Sequence, residues 1–207
     1  DIDILVDDEE HLKQVLGNLS RVKSVSVLEV RDDVLDIHRG GKIQIVSRQP
    51  INTLEQLRKV YTPGVADVCL KIAEDPEQRD LYIYIPNLVA IVTDGTAVLG
   101  LGDIGSLASM PVMEGKAALL MELVGLNGIP ILLDTTDPTE IVEAIKRIAI
   151  TFGAIQIEDI AAPRCFEVSE RLSSELPIPV MHDDQDGTAV VALAAILKAC
   201  KTCDIEL

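Results

Sequence analysis

Aromatic side chains are nearly missing from this chain. It has no Trp, two Phe and three Tyr among 207 residues, 2% in all. A core must therefore come from Ile, Leu, Val and Ala, and base-stacking platforms for nucleic acid are excluded. Positive charge is also scarce: 18 Lys and Arg face 34 Asp and Glu, a formal net charge of −16. Phosphate backbones would be repelled, so no nucleic-acid partner is expected. No apolar run is long enough to span a bilayer. The opening Asp1-Ile2-Asp3 lacks the basic stretch of a secretory signal, so no membrane partner is expected either. The cysteines, Cys69, Cys165, Cys200 and Cys203, have no framework spacing. The closing Cys-Lys-Thr-Cys has neither the second pair that a zinc site needs nor a thioredoxin-like context. Free thiols in a cytoplasmic protein are the expectation.

What is present is an apolar content of 48%, enough to fill one large or two small domains without staples. Two textures divide the chain. Residues 1–50 read as strand (Ile2–Val6), helix (Glu9–Leu19), strand (Val25–Arg31), a Gly40-Gly41 turn and strand (Lys42–Ser47), a small α+β module. Gln49-Pro50-Ile51-Asn52 reads as a linker. Thr53 with Gln56 three residues on forms a capping box for the next helix. A helix follows over Val65–Glu74. Leu88–Thr93 and Ala97–Leu101 are expected to pair as a hairpin around Asp94-Gly95. Helix 111–124, strand 129–133, helix 138–152, strand 154–157, helix 163–176, strand 178–181 and helix 187–201 then alternate, which predicts parallel βα units.

Two acidic doublets, Glu158-Asp159 and Asp183-Asp184, each follow a short apolar run and precede a helical segment. That places them in the crevice outside the strand ends, where open α/β sheets bind ligands. Carboxylates gathered there call for a cation, because unpaired buried charge is costly. Oxygen-only ligands favour Mg²⁺ or Mn²⁺. On the residues alone, solvated acids at helix N-termini remain the alternative. Lys116 lies among apolar neighbours on a predicted helix, and a desolvated lysine near a cation would have a lowered pKa and could serve as a base. Tyr61 precedes a turn and a helix start, where its hydroxyl could face a cleft. Gly100 to Gly105 spell GxGxxG, but an expected break before the helix and the lack of an acid after a second strand argue for a tight turn rather than a dinucleotide site. His182 to Gly187 cannot be a calcium loop, since His182 and Leu193 would occupy its first and last ligand positions.

Five segments occur in order: YTPGV at 61–65, TDGTAVLGLGDIG at 93–105, PVMEGKA at 111–117, EDIAAPRCFE at 158–167 and HDDQ-x-GTA at 182–189. Together they closely resemble prokaryotic malic enzymes, over about residues 50–203. The resemblance implies an α/β fold: parallel βα units of the malic enzyme N-terminal catalytic domain over 51–207. Residues 1–50 resemble part of an ACT regulatory module, a partial ferredoxin-like α+β fold. The implied activity is oxidative decarboxylation of L-malate to pyruvate and CO₂ with NAD⁺ or NADP⁺ and Mg²⁺ or Mn²⁺. By position, the resemblance makes Lys116 the general base, Tyr61 the general acid, and Glu158, Asp159 and Asp184 the metal ligands, with Asp183 beside them. It also implies malate and pyruvate as ligands and a homo-oligomer. Two departures stand out: Asp186 replaces the usual bacterial His, and Ala97 stands where the eukaryotic branch has an Arg for a substrate carboxylate. The family's Rossmann domain would follow this stretch, so these 207 residues alone are expected to be inactive. The rival expectations are a malolactic enzyme, which releases lactate, and a non-enzymatic ACT-type regulatory fragment.

Overall fold

The computed structural model describes Ile4, Val6 and residues 8–206. The chain divides at Gly40 and Gly41 into two units, whereas the sequence texture changes at residue 50.

The first unit holds helices α1 (Glu9–Leu19) and α2 (Asp33–His38). Each begins at an aspartate that accepts backbone N–H groups: Asp8 from His11, and Asp32 from Val34 and Leu35. These carboxylates satisfy donors that a helix start leaves open. The expected strand Ile2–Val6 lies largely outside the described residues. The expected strands Val25–Arg31 and Lys42–Ser47 are extended but unpaired, so the described residues of 1–50 contain no strand. The physical reason is the lack of a ladder partner: strands are marginal without neighbours, and Leu28 is 95% exposed. At the second segment the Lys42 N–H goes instead to the Glu114 carboxylate at 3.2 Å.

The second unit opens with α3 (Leu54–Val60), α4 (Val65–Glu74) and the short α5 (Arg79–Tyr82). The Thr53–Gln56 capping box forms at α3 as the sequence predicts. Then β1 (Leu88–Thr93), α6 (Ser106–Val124), β2 (Asn127–Leu132), α7 (Pro138–Ile148), β3 (Ala154–Ile157), α8 (Arg164–Glu175), β4 (Val180–His182) and α9 (Thr188–Cys203) alternate. The four strands form one parallel sheet, in the order β2-β1-β3-β4. The expected hairpin at Asp94-Gly95 does not form. Both edges of β1 are taken, by β2 and β3, so no edge remains for Ala97–Leu101; that stretch loops out and makes only a bridge from Val98 to Gly102.

Strand β1 is buried throughout, as an apolar run at a sheet centre should be. Its alternate residues face two cores. Leu88, Ala90 and Val92 pack in a cluster with Ile141, Val142 and Ile145 of α7 and Val168 and Leu172 of α8. Ile91 packs with Met113 and Ala117 of α6. Gly128 on β2 lets α6 approach the sheet: a Cβ there would lie 2.8 Å from the Ala117 Cα. The connection from β1 leads to β2 on one side and the next returns to β3 on the other. That switch point opens a crevice at the carboxyl ends of β1 and β3. No described helix is long and apolar enough to cross a membrane.

Candidate active site

The crevice is built by three strand ends and one helix. β1 ends in Thr93-Asp94, β3 runs into Glu158-Asp159, and β4 into Asp183-Asp184. Helix α6 begins at Ser106, directly after Gly105, so the expected break before Pro111 is absent and Pro111 lies inside the helix. The β1-α6-β2 order is also a strand–helix–strand unit, contrary to the sequence reading. The glycine run still differs from a nucleotide turn, because it belongs to a twelve-residue excursion between β1 and α6. A Cβ at Gly100, Gly102 or Gly105 would meet nothing within 4 Å. Gly95 is the tight position instead: its φ is +70°, and a Cβ would sit 2.3 Å from the Gly105 carbonyl oxygen.

Burial of Met113 and Ala117 against β1 fixes the rotation of α6. The same helix places the Lys116 ammonium 2.5 Å from Asp183 Oδ2 and 3.3 Å from Glu158 Oε1. Gln156 donates a further hydrogen bond to Glu158. Asp159 adopts the left-handed region, φ 53°, rare for a non-glycine residue. Its backbone is held from both sides: its carbonyl accepts the Ala97 N–H at 2.9 Å, and its N–H donates to Asp184 Oδ2 at 3.0 Å. Glu158, Asp159 and Asp184 each offer a carboxylate oxygen within 4.8 Å of the others.

Four carboxylates thus face one ammonium. At an effective dielectric near 20, each like-charge pair at such a separation costs about 3–4 kcal/mol. Burial is the largest effect on Glu158, and with the nearby Asp183 it outweighs Lys116, pushing the carboxyl up to about 7. Burial and then Asp184 push Asp159 up to about 6. Burial by itself would lower Lys116, but its bonds to Asp183 and Glu158 outweigh that and raise it. The expected lowered lysine is therefore not found in the metal-free arrangement, because the acids hold its proton. A divalent ion fits the donor set. Asp159 Oδ2 is buried with no hydrogen-bond partner. Oxygens bound at about 2.0–2.6 Å to one ion lie at most about 4–5 Å apart, the spread of these three ligands.

The structure brings Lys116, Glu158, Asp159, Asp183 and Asp184 together. Tyr61 does not join them. It ends α3, is 67% exposed, and its side chain makes no hydrogen bond or ring contact among the described residues. Asp186 caps His182, accepting its N–H at 3.0 Å.

Sequence reasoning missed an ion pair beneath the site. The buried Asp94 accepts Arg164 Nε at 3.2 Å and Nη2 at 3.0 Å, and the Arg164 guanidinium also donates to Thr96. Thr96 in turn accepts the Ala161 N–H at 3.0 Å. This network ties the loop after β1 to the loop after β3 and so steadies Asp159. Asp94-Gly95 carried only a turn signal. His182 was also missed: it is buried behind Asp184, and its ring makes an edge contact with Phe166.

The family model for the malic enzyme N-terminal domain matches residues 40–173. Over all 207 residues the chain is 54% identical to NAD-dependent malic enzyme 1 of Bacillus subtilis, spanning 47% of it. It is 46% identical over 176 residues to the bifunctional malic/malolactic enzyme of the same organism, 84% of this chain and 43% of that one. The crystal structure of malic enzyme from Pyrococcus horikoshii superposes with a TM-score of 0.81 at 45% identity, over 84% of this chain and 41% of that one. The chain thus spans about half the length of the curated relatives it matches.

Proposed function

The chain belongs to the malic enzyme family, and from that premise we propose that it carries the metal- and malate-binding part of an enzyme that oxidatively decarboxylates L-malate to pyruvate and CO₂ with NAD⁺ or NADP⁺. The observation that supports this most is the Lys116 ammonium set between Glu158 and Asp183 beside three convergent carboxylates. Glu158, Asp159 and Asp184 would hold Mg²⁺ or Mn²⁺. When bound, the ion supplies the positive charge that keeps these carboxylates ionised and a Lewis acid for the malate C2 oxygen. Asp183 orients Lys116 and keeps it aimed at the crevice. Lys116 Nζ, once neutral, takes the C2 hydroxyl proton as hydride leaves for the nicotinamide. Tyr61 gives a proton to the enolpyruvate carbon after CO₂ has gone.

The test uses the full chain as its gene encodes it. Lys116→Ala is expected to lower malate turnover by about 10²–10⁴-fold, the usual contribution of a positioned acid or base. Near-normal turnover removes Lys116 from the mechanism. The likeness to a bifunctional malic/malolactic enzyme favours a second reading, in which lactate is released; product analysis separates the two. Residues 1–50 we read as part of an ACT-like module from their sequence texture, and a ligand of that segment that alters turnover is its test. The free thiols of Cys69, Cys165, Cys200 and Cys203 fit a reducing compartment, and we assign the enzyme to the cytoplasm.

A further inference from the structure

Residues 53–84, comprising α3, α4 and α5, form an arm in which no residue is buried. Its sequence is nonetheless that of a segment meant to be covered. Leu54 is 62% exposed, Leu57 40% and Leu70 60%. All three tyrosines of the chain lie on it, Tyr61 at 67%, Tyr82 at 46% and Tyr84 at 55% exposed. A chain with so few aromatic residues has placed every tyrosine on one uncovered arm. Tyrosine is enriched at protein interfaces, where an apolar ring with a polar tip anchors contacts, and an apolar patch of this extent marks a covered surface.

We infer that the arm is covered by a second copy of this chain, and that each copy's Tyr61 completes the partner's Lys116 site. The inference rests on the proposed roles of Tyr61 and Lys116. A second copy is favoured over an unrelated partner because this chain already contains the matching half. Five groups of the candidate site converge at the strand ends, while Tyr61 stands apart on the arm with its side chain unpartnered. Two-fold exchange of identical arms is self-complementary, buries both apolar faces at once and closes on itself. It also gives each site its missing acid without any rearrangement of the sheet.

The test is complementation in the full chain as its gene encodes it. Tyr61→Phe and Lys116→Ala proteins are made with different tags, each assayed alone, then mixed after dissociation and reassociated. Each alone is expected to lose malate turnover. A hybrid has one site with both defects and one with neither. Random one-to-one pairing therefore restores about a quarter of wild-type turnover. Hybrids isolated through both tags that stay inactive overturn the inference and leave the proposed function standing. Near-normal turnover by either variant alone overturns the roles of those residues, and the inference with them. As a second measurement, Leu70→Glu places charge on the arm at an exposed position outside the site. It is expected to shift sedimentation toward the monomer and lower turnover in parallel. A fully active monomer overturns the inference.

Discussion

Helices α4 and α7 are close in length and both carry an apolar stripe, yet they meet opposite fates. Helix α7 buries Ile141, Val142 and Ile145 completely. Helix α4 sets Val65, Val68 and Ile72 at the same spacing and buries none of them. The contrast holds along the whole chain. Among the described residues, every buried one lies between Leu88 and His182. An amphipathic pattern announces a face to be covered; the covering element is a separate fact, supplied for α7 by the sheet and α8.

The sharpest way to break that comparison is to cut the same side chain on both helices. Ile145→Ala is expected to cost about 2–5 kcal/mol, as deletions in filled cores do. Ile72→Ala should cost no more than about 1 kcal/mol in an isolated chain, since surface changes are usually small. Urea denaturation measures both. A cost at Ile72 that grows with protein concentration would show the face being covered by association.

The charged centre of the buried region should respond to pH. Glu158 has a folded-state value of about 7 against an ordinary 4.5, and Asp159 is shifted the same way, to about 6. The folded protein therefore holds protons that the unfolded chain has released, and metal-free stability falls as pH rises through this window. For Glu158 the loss between pH 4.5 and 7 is on the order of 3 kcal/mol. Lys116, raised above 10.5, stays protonated there and does not change the sign. Thermal melts at pH 5 and pH 8 check this: Mn²⁺ should raise the melting temperature more at pH 8, and an equal rise at both would refute the linkage.

A smaller effect separates Glu158 from its exposed counterparts. Glu158→Gln keeps the shape and removes the charge. It is expected to weaken Mn²⁺ binding at least about tenfold, roughly 1.4 kcal/mol by calorimetry. The same change should raise metal-free stability at pH 8, because a buried charge has been removed. Smallest is Thr53→Ala, which deletes the capping box of α3 at a cost of about 1 kcal/mol. If the arm is mobile by itself, that loss appears as faster amide exchange over residues 54–60 with little change in the global midpoint.

Local signals in the sequence were the most readable. The helix Glu9–Leu19, the helix Val65–Glu74, the Thr53 cap and the strand Ala154–Ile157 stand where their patterns place them. Each depends on spacing or capping within one segment. Errors fell where a segment's partner mattered. Asp94-Gly95 is a strong hairpin signal, but β1 sits mid-sheet with both edges filled. Val25–Arg31 has strand composition and no neighbour to pair with among the described residues. The acidic doublets were legible as acids at strand ends; that Glu158 and Asp159 are deeply buried while Asp184 is exposed was not.

By itself the sequence determined the parallel alternation of strand and helix and the two acid-bearing strand ends, because hydrophobic period and short-range capping are properties of a single segment. Only the tertiary structure decided the strand order, the salt link from Asp94 to Arg164 across 70 residues, and the raised pKa values of Glu158 and Asp159. These depend on which segments meet, and on how much water their meeting removes.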